Sequence, residues 1–599
     1  MSRFLAYINK GTEADHEFSS ESVQAILHES ALSDVTIETF SRDCIHVAYT
    51  GNVSVHLDES LGLLIILSGY FRRSGFMTTY SDDAKDLLPM FAENADLLKD
   101  DFEGCFSLVV CHLSSLEVWL MTDRFGTRPL YYIPGERHVA VSSETCLLLP
   151  WTEKLSISPA ALTDSFWLGF CRAPHSMISG VVKAPDNSVV SVSTDRATDS
   201  HVKPCPLVIE PDETLDFESV VTRIEDALEQ EFASLGRTAN RVAVLLSGGV
   251  DSSIMAAYAQ DHFAECVAYS CNIEGYDNPE LERAVYVAKK LGMRHEIVGL
   301  NLDQLDGVFS EVVSMLEGPS RHINNIVVRR IFQEIQGFDA IIGGDGADAV
   351  FGTKTNRTIR NIEHKIALVN RVPAFFKPIL AMILERMSPG KRTYLKKILA
   401  NDLEWLLGNL FTVEYGEEQV TLAGKLGISQ FSGIPLSAYE ASDNVGKSLE
   451  ANISLFLRCM LERNSKLSND SSIPVYYPFL SEGMLRISRG LPYKHRFDDA
   501  GNAKPALREI CRRRIDSSVI GWPKIGFETP EKTWLTKDLK PYLDRVLSNE
   551  GGISKVLGVT LDSDDIEIAQ SSTRILWWLI TLDSSLLAME ARFLGWKQK

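Results

Sequence analysis

The chain has 599 residues, of which 45% are hydrophobic and 23% charged, a balance that excludes disorder, collagen and coiled coil and predicts a folded protein of several domains. Sixty Lys and Arg stand against 80 Asp and Glu, a net charge of −20 that would repel a nucleic-acid backbone. No apolar run approaches the roughly 18 residues of a membrane span, the N-terminus lacks a signal-peptide core, and ten scattered cysteines form no CxxC pair; a cytoplasmic protein without zinc or disulfide scaffold is expected.

From Phe4 to about Val192 the chain carries short β-branched and apolar runs separated by turns. Ile45–Tyr49, Val53–Leu57, Gly62–Leu67, Phe106–Cys111 and Leu116–Thr122 predict an antiparallel sheet. A polar, Pro-containing stretch, 193–213, reads as a linker. Beyond it strands and helices alternate. Val242–Leu246, Cys266–Cys271 and Ala340–Ile342 read as strands, Ser252–Gln260 and Pro279–Leu291 as helices, which predicts a parallel sheet with crossover helices. The apolar runs Leu61–Leu67 and Ile575–Leu582 read as core.

The stretch 354–397 holds eleven Lys or Arg against Glu363 and Glu385, a net of +9 on a remainder of −29. Two readings stand side by side: a solvated helical face, or a docking surface for an acidic peptide, a partner protein or nucleotide phosphates.

The strongest local signal is Leu245-Leu246-Ser247-Gly248-Gly249-Val250-Asp251-Ser252-Ser253. A buried strand enters a Gly-Gly turn and a helix opens directly after it. Glycines let backbone N–H groups approach an anion, and the helix N-terminus adds roughly half a positive charge. Ser247, Ser252 and Ser253 carry hydroxyl donors. Asp251 would repel bare phosphate, so a carboxylate there suits a phosphate that carries Mg²⁺. The competing reading is an ordinary strand-turn-helix with Asp251 facing the helix dipole. A second loop, Gly343-Gly344-Asp345-Gly346-Ala347-Asp348-Ala349, follows Ala340–Ile342. It fits GxGxxA, but two carboxylates would repel a dinucleotide; with Asp251 they suit metal ligation or acid–base work. Asp348 is the second expected magnesium ligand.

The SGGxDS string resembles the pyrophosphate loop of the ATP pyrophosphatase superfamily, whose members split ATP between the α and β phosphates. Over nearly its full length the chain resembles the glutamine-dependent asparagine synthetases and their relatives. Thr122-Asp123-Arg124-Phe125-Gly126-Thr127-Arg128-Pro129-Leu130-Tyr131-Tyr132 is similar to the RDRxGxKPLYY segment, and Ser142-Ser143-Glu144 to the ASE motif. Ser247–Ser253 and Gly344–Gly352 match the two ATP loops. Tyr477-Pro478-Phe479-Leu480-Ser481 is similar to RxPFLD, with Tyr477 and Ser481 departing from it. Lys504–Arg508 and Pro523-Lys524-Ile525-Gly526-Phe527 match the later K-x-x-L-R and K-x-G-F elements.

Two departures narrow the resemblance. A glutaminase half needs cysteine after the initiator methionine, and this chain has Ser2, a poor nucleophile without a base. Asp345 stands where asparagine synthetases have Glu and β-lactam synthetases have Tyr. The remaining relatives, the lasso-peptide macrolactam synthetases, also lack the cysteine. The resemblance therefore implies an α/β protein of two domains. Residues 1–205 would form an Ntn-hydrolase-like αββα sandwich without glutaminase chemistry. Residues 206–599 would form a doubly wound parallel-sheet ATP pyrophosphatase domain. It also implies ATP and Mg²⁺, with Leu246, Ser247, Gly248, Gly249, Asp251, Ser252, Ser253, Gly344 and Gly346 on the nucleotide and Asp251 and Asp348 on the metal. Lys524 would stabilise negative charge in the second step, its alternative being a surface loop lysine. Asp345 would take or orient the amine proton, its alternative being support of the magnesium site. Expected partners are a precursor peptide, a leader-peptide protease and a leader-binding protein, with neither nucleic acid nor membrane. A small-molecule amide synthetase, a tRNA-modifying enzyme and a non-catalytic scaffold remain as alternatives.

Overall fold

The computed structural model describes residues 2–9, 18–29, 36–73, 79–93, 102–135, 138–192, 199–202, 208–376, 379, 382, 389–408, 410, 417–431, 433–522 and 529–598. Its first part stacks two six-stranded antiparallel sheets. One holds, in spatial order, Val182–Lys183, Tyr131–Pro134, His138–Ser142, Arg3–Asn9, Ile45–Thr50 and Glu38–Arg42. The other holds Asp199–Val202, Ser188–Val192, Val118–Thr122, Phe102–His112, Leu63–Arg73 and Val53–Asp58.

Strand Arg3–Asn9 shows why the sheets stack. It is buried along its whole length, and its period of two sends Phe4, Ala6 and Ile8 into the inter-sheet core and Leu5 and Tyr7 to the opposite face. On that opposite face lies helix Ser20–Glu29, through Val23, Ile26 and Leu27. The outer face of the second sheet is covered by Ala84, Leu87, Met90 and Phe91. The layers are thus helix, sheet, sheet, helix. Every predicted strand of this part is present within a few residues. The predicted linker is corrected: Asp199–Val202 is a strand that pairs antiparallel with Ser188–Ser191, so the sandwich reaches into a stretch whose polar composition hid an edge strand.

The second part is built on a five-stranded parallel sheet, in spatial order Arg294–Leu300, Glu265–Ile273, Arg241–Leu245, Ala340–Ile342 and Val475–Tyr476. The three predicted strands and both predicted helices are there. Sequence order and spatial order diverge between Arg241–Leu245 and Ala340–Ile342, which lie side by side although the chain first runs to the sheet's far edge and back. That divergence is a topological switch point, where a crevice opens beyond the carboxyl ends of the strands. The run Ile575–Leu582 is buried inside helix Thr573–Lys597, and no described helix is long and apolar enough to cross a membrane.

Helix Lys354–Asn370 carries the start of the basic stretch, packed through Ile359 and Ile362 onto a separate small core. Arg360 pairs with Asp443 at 2.8 Å and Lys397 with Asp402 at 2.6 Å. These cations hold the helical subdomain together. The side chains of Lys354, Lys377, Arg386 and Lys391 lie outside the described residues.

Candidate active site

The two loops read from sequence leave the carboxyl ends of the two strands at the switch point, Arg241–Leu245 and Ala340–Ile342. They are in van der Waals contact. A Cβ placed on Gly344 would lie 3.1 Å from the Ser252 amide nitrogen, tighter than ordinary contact, so glycine lets the second loop close onto the first without displacing it. Gly248 has φ +74°, and a Cβ there would meet the Ala284 backbone at 2.5 Å, which seats the turn against helix Pro279–Leu291. Helix Val250–His262 then opens with Gly249 as its cap and Asp251 in its first turn.

A cavity of about 500 Å³ fills the crevice. Leu246, Ser247, Asp251, Ser252, Gly344, Asp345, Gly346 and Asp348 line it, joined by Tyr269, Ser270, Phe332, Thr353, Phe456 and Arg463. Gly248 and Gly249 are not among the lining residues. Ser253 is fully buried, its hydroxyl has no hydrogen-bond partner among the described residues, and it is not among the residues that line the cavity. The Ser252 hydroxyl accepts from the Ser247 amide at 3.2 Å and donates to the Gly249 carbonyl at 3.2 Å, bracing the loop. Lys524, within 523–528, lies outside the described residues.

Lys504 opens the K-x-x-L-R element, yet nothing in the sequence assigns it a task. Its Nζ lies 2.6 Å from Asp251 and 2.8 Å from Asp348. Burial alone would lower the ammonium's pKa, but the two carboxylates outweigh it and hold it above the usual lysine range. Lys504 caps helix Pro505–Arg514 from a left-handed backbone at φ +62°, a conformation that costs an L-residue about 1 kcal/mol. The rest of K-x-x-L-R is structural. Leu507 is fully buried, and Arg508 donates to the Ile520 carbonyl at 2.8 Å and the Ala503 carbonyl at 3.2 Å.

Asp251 and Asp348 form no cluster of three or more metal-ligating side chains among the described residues. They fit Mg²⁺ all the same. The gap between them already draws a cation, and Mg²⁺ is ordinarily held by one or two carboxylates together with substrate phosphates.

Asp345 lies partly buried in the cavity wall beside the same pair. Burial raises its pKa, Asp251 and Asp348 raise it further, and Arg463 with the Asn464 hydrogen bond at 3.1 Å opposes them. The arrangement gives a carboxyl group that holds its proton more tightly than an ordinary aspartate. Tyr477 packs on Gly343, where a Cβ would lie 2.9 Å from the ring. Ser481, the other departure, caps helix Glu482–Arg489 by accepting from the Met484 amide, which any short oxygen-bearing side chain can do.

The motif residues of the first part are structural. Asp123 is buried and accepts from the amides of Phe106, Phe125 and Thr127 and from the Thr127 hydroxyl; burial still pushes its pKa up to about 6. Ser2 is 4% exposed. Its hydroxyl accepts from the Asn52 amide at 2.9 Å, and its own amide donates to the Asn469 carbonyl at 2.7 Å.

Residues 223–576 match the family described as asparagine synthase, and residues 70–202 match the glutamine amidotransferase domain. Asparagine synthetase [glutamine-hydrolyzing] 1 of Bacillus subtilis is 18% identical over 589 residues, covering 96% of this chain and 91% of the relative. A putative asparagine synthetase [glutamine-hydrolyzing] of Mycobacterium bovis is 22% identical over 450 residues, covering 72% of this chain and 68% of the relative. Among solved structures, glutamine phosphoribosylpyrophosphate amidotransferase of B. subtilis aligns at 10% identity and TM-score 0.23, over 60% of this chain and 77% of that one.

Proposed function

The chain belongs to the asparagine synthase family, and on that premise we propose that this ATP-dependent amide ligase closes a macrolactam ring in a lasso precursor peptide. The supporting observation is a pairing of features. Both loops, Asp251, Asp348 and Lys504 are assembled at the switch point, while position 2 of the amidotransferase-like half holds a buried serine tied to Asn52 and Asn469. A family member without its own source of ammonia needs an amine from elsewhere, and a peptide's amino terminus supplies one.

A side-chain carboxylate of the peptide attacks the α-phosphorus of ATP. The bond to the β-phosphate breaks, and pyrophosphate leaves along the Ser247–Ser252 loop, where backbone amides and the helix N-terminus favour negative charge. Asp251 and Asp348 would hold Mg²⁺, which would supply charge neutralisation on the phosphates. Lys504 fixes the two carboxylates in register. The peptide amine then attacks the acyl carbon, AMP departs, and Asp345 receives the amine proton, a transfer favoured by its raised pKa. Lys524 takes the family's charge-stabilising place in that step. Holding amine and acyl group together is the main source of rate.

The decisive experiment is ATP–pyrophosphate exchange with candidate precursor peptides, with Asp251→Ala as control, followed by intact-mass measurement for loss of one water. Exchange without ring closure, or exchange driven only by free aspartate, would return the protein to the small-molecule amide synthetases.

A further inference from the structure

Arg463 is a buried cation at 7% exposure, on helix Arg458–Leu467 directly after a single π-turn, Ile453–Leu457. A π-turn widens a helix and often marks a ligand site; here Asn452, Phe456, Leu457 and Met460 face the 500 Å³ cavity beside Arg463. Among the described residues no carboxylate oxygen lies within ion-pair distance of this guanidinium; Asp345 acts on it only from farther away. Its hydrogen bonds there go to neutral amide oxygens, from Nε and Nη2 to Asn464 at 3.1 and 2.8 Å and from Nη1 to Asn325 at 3.5 Å. Arg496, also buried, likewise has no acid in contact among the described residues but lies away from this cavity; the buried cations at the junction of the two halves do have acids. Lys183 has Glu462, Lys466 has Glu317, Arg3 has Glu144 and Arg458 has Asp186.

A buried charge without a counter-ion in contact is destabilising, so a cation kept this way in a cavity wall points to a ligand. A second observation agrees. Asn324, in the same wall, has a buried side-chain oxygen with no partner among the described residues, an acceptor waiting for a donor. The phosphate end of the cavity is already served by the Ser247 loop, Asp251, Asp348 and Lys504, so the triphosphate does not need Arg463.

We infer that Arg463 is the anchor for the substrate's reacting carboxylate, and that Asn324 receives an N–H of the residue that bears it. A guanidinium matches a carboxylate with two parallel hydrogen bonds, and an acidic residue within a peptide presents both the carboxylate and the amide N–H. The reading rests on the peptide-ligase proposal only for the carrier of that carboxylate.

The test uses thermal shift with Mg²⁺ and α,β-methylene-ATP present. The probes are N-acetyl-aspartyl-amide and its neutral counterpart N-acetyl-asparaginyl-amide. In the wild type the aspartyl probe raises Tm with concentration and the asparaginyl probe does not. Arg463→Met loses the aspartyl-specific shift, keeps its affinity for the ATP analogue within about threefold by calorimetry, and in the absence of ligand melts no lower than wild type, because a buried unpaired charge has gone. Arg463→Lys, which keeps charge without the planar fork, folds and binds the aspartyl probe at least about tenfold more weakly. An aspartyl-specific shift that survives in both variants, its absence in the wild type, or an equal loss of nucleotide affinity overturns the inference. Failure of peptide cyclisation alone leaves these binding results standing and removes only the functional proposal.

Discussion

Lys504 donates from Nζ to both carboxylate oxygens of Asp251, at 2.7 and 2.6 Å, across 253 residues of chain. The contact joins the phosphate-loop helix to a helix near the far end of the chain, and its third member, Asp348, lies on the second ATP loop. One ammonium therefore sets the spacing of the two carboxylates expected to hold magnesium.

Lys504→Met is expected to lower ATP–pyrophosphate exchange by about 100-fold or more, the scale on which a single charge-stabilising group acts in a transition state, with the Mg²⁺ requirement raised. Circular dichroism should show the fold retained. The pH behaviour has a definite sign. A lysine held above its ordinary 10.5 stabilises the fold fully at lower pH, and that contribution disappears only as pH rises through the elevated value. Exchange within about threefold of wild type would remove Lys504 from the site.

Asp251→Asn and Asp348→Asn each leave Lys504 one carboxylate. Both variants should fold, and both should lose at least about 100-fold in exchange, with partial recovery at high Mg²⁺, because phosphate-bound Mg²⁺ still gains from the remaining ligand. A magnesium titration of the exchange rate measures this. Equal Mg²⁺ dependence in wild type and variants would assign the pair a structural role.

These residues show what the sequence makes legible. A phosphate loop is contiguous, so Ser247–Ser252 announces itself, and the strands that carry it have an unbroken apolar signal. Lys504 and Arg463 act only through folding contacts, which no spacing along the chain encodes. Ser253 looks like one more donor in the string, yet the helical period turns it into the core. Asp199–Val202 was hidden because an edge strand pairs through its backbone, whatever its side chains.

Ser2→Cys is expected to leave glutamine unhydrolysed. Position 2 is almost wholly buried, its amide is committed to Asn469 on the other half and its side-chain oxygen to Asn52. A thiol there fits the volume without gaining an approach for substrate. Glutamate release by the variant, measured against a no-enzyme control, should be absent; steady release at a rate above that control would show the amidotransferase-like half to be one substitution from activity.

Asp123 titrates at about 6 instead of the ordinary 3.8. In that window the folded state binds the proton more tightly than the unfolded one, so stability attributable to Asp123 is largest below pH 3.8 and falls as pH rises through 6. Asp123→Asn removes the titration and leaves the donors of Phe106, Phe125 and Thr127 sharing one carbonyl oxygen. The variant should be less stable by about 1–3 kcal/mol at low pH, with the difference narrowing towards neutrality. Chemical denaturation on either side of the Asp123 titration reads this, and a pH-independent difference would reject it.

The two halves meet across Lys183 and Glu462, at 2.5 Å. The partners titrate unequally for a geometric reason. Burial lowers the Lys183 pKa, with Glu462 opposing it and Arg458 adding repulsion, whereas Glu462 faces three cations, Lys183, Lys466 and Arg458, which overcome its burial and bring it down to about 2. Stability from Glu462 is therefore fully present above its ordinary 4.5 and is lost as pH falls towards 2. Lys183→Met alone leaves the Glu462 carboxylate to Lys466, Arg458 and the Tyr131 hydroxyl and should cost about 1–3 kcal/mol, while Lys183→Met with Glu462→Met removes both charges and should recover most of it. Recovery means that the charged lattice fixes how the sandwich sits on the nucleotide domain rather than how tightly. Exchange activity in the double variant separates the two roles: stability restored with activity still reduced shows that the pair positions the neighbouring helix, the one that carries Arg463 and Asn464 into the cavity.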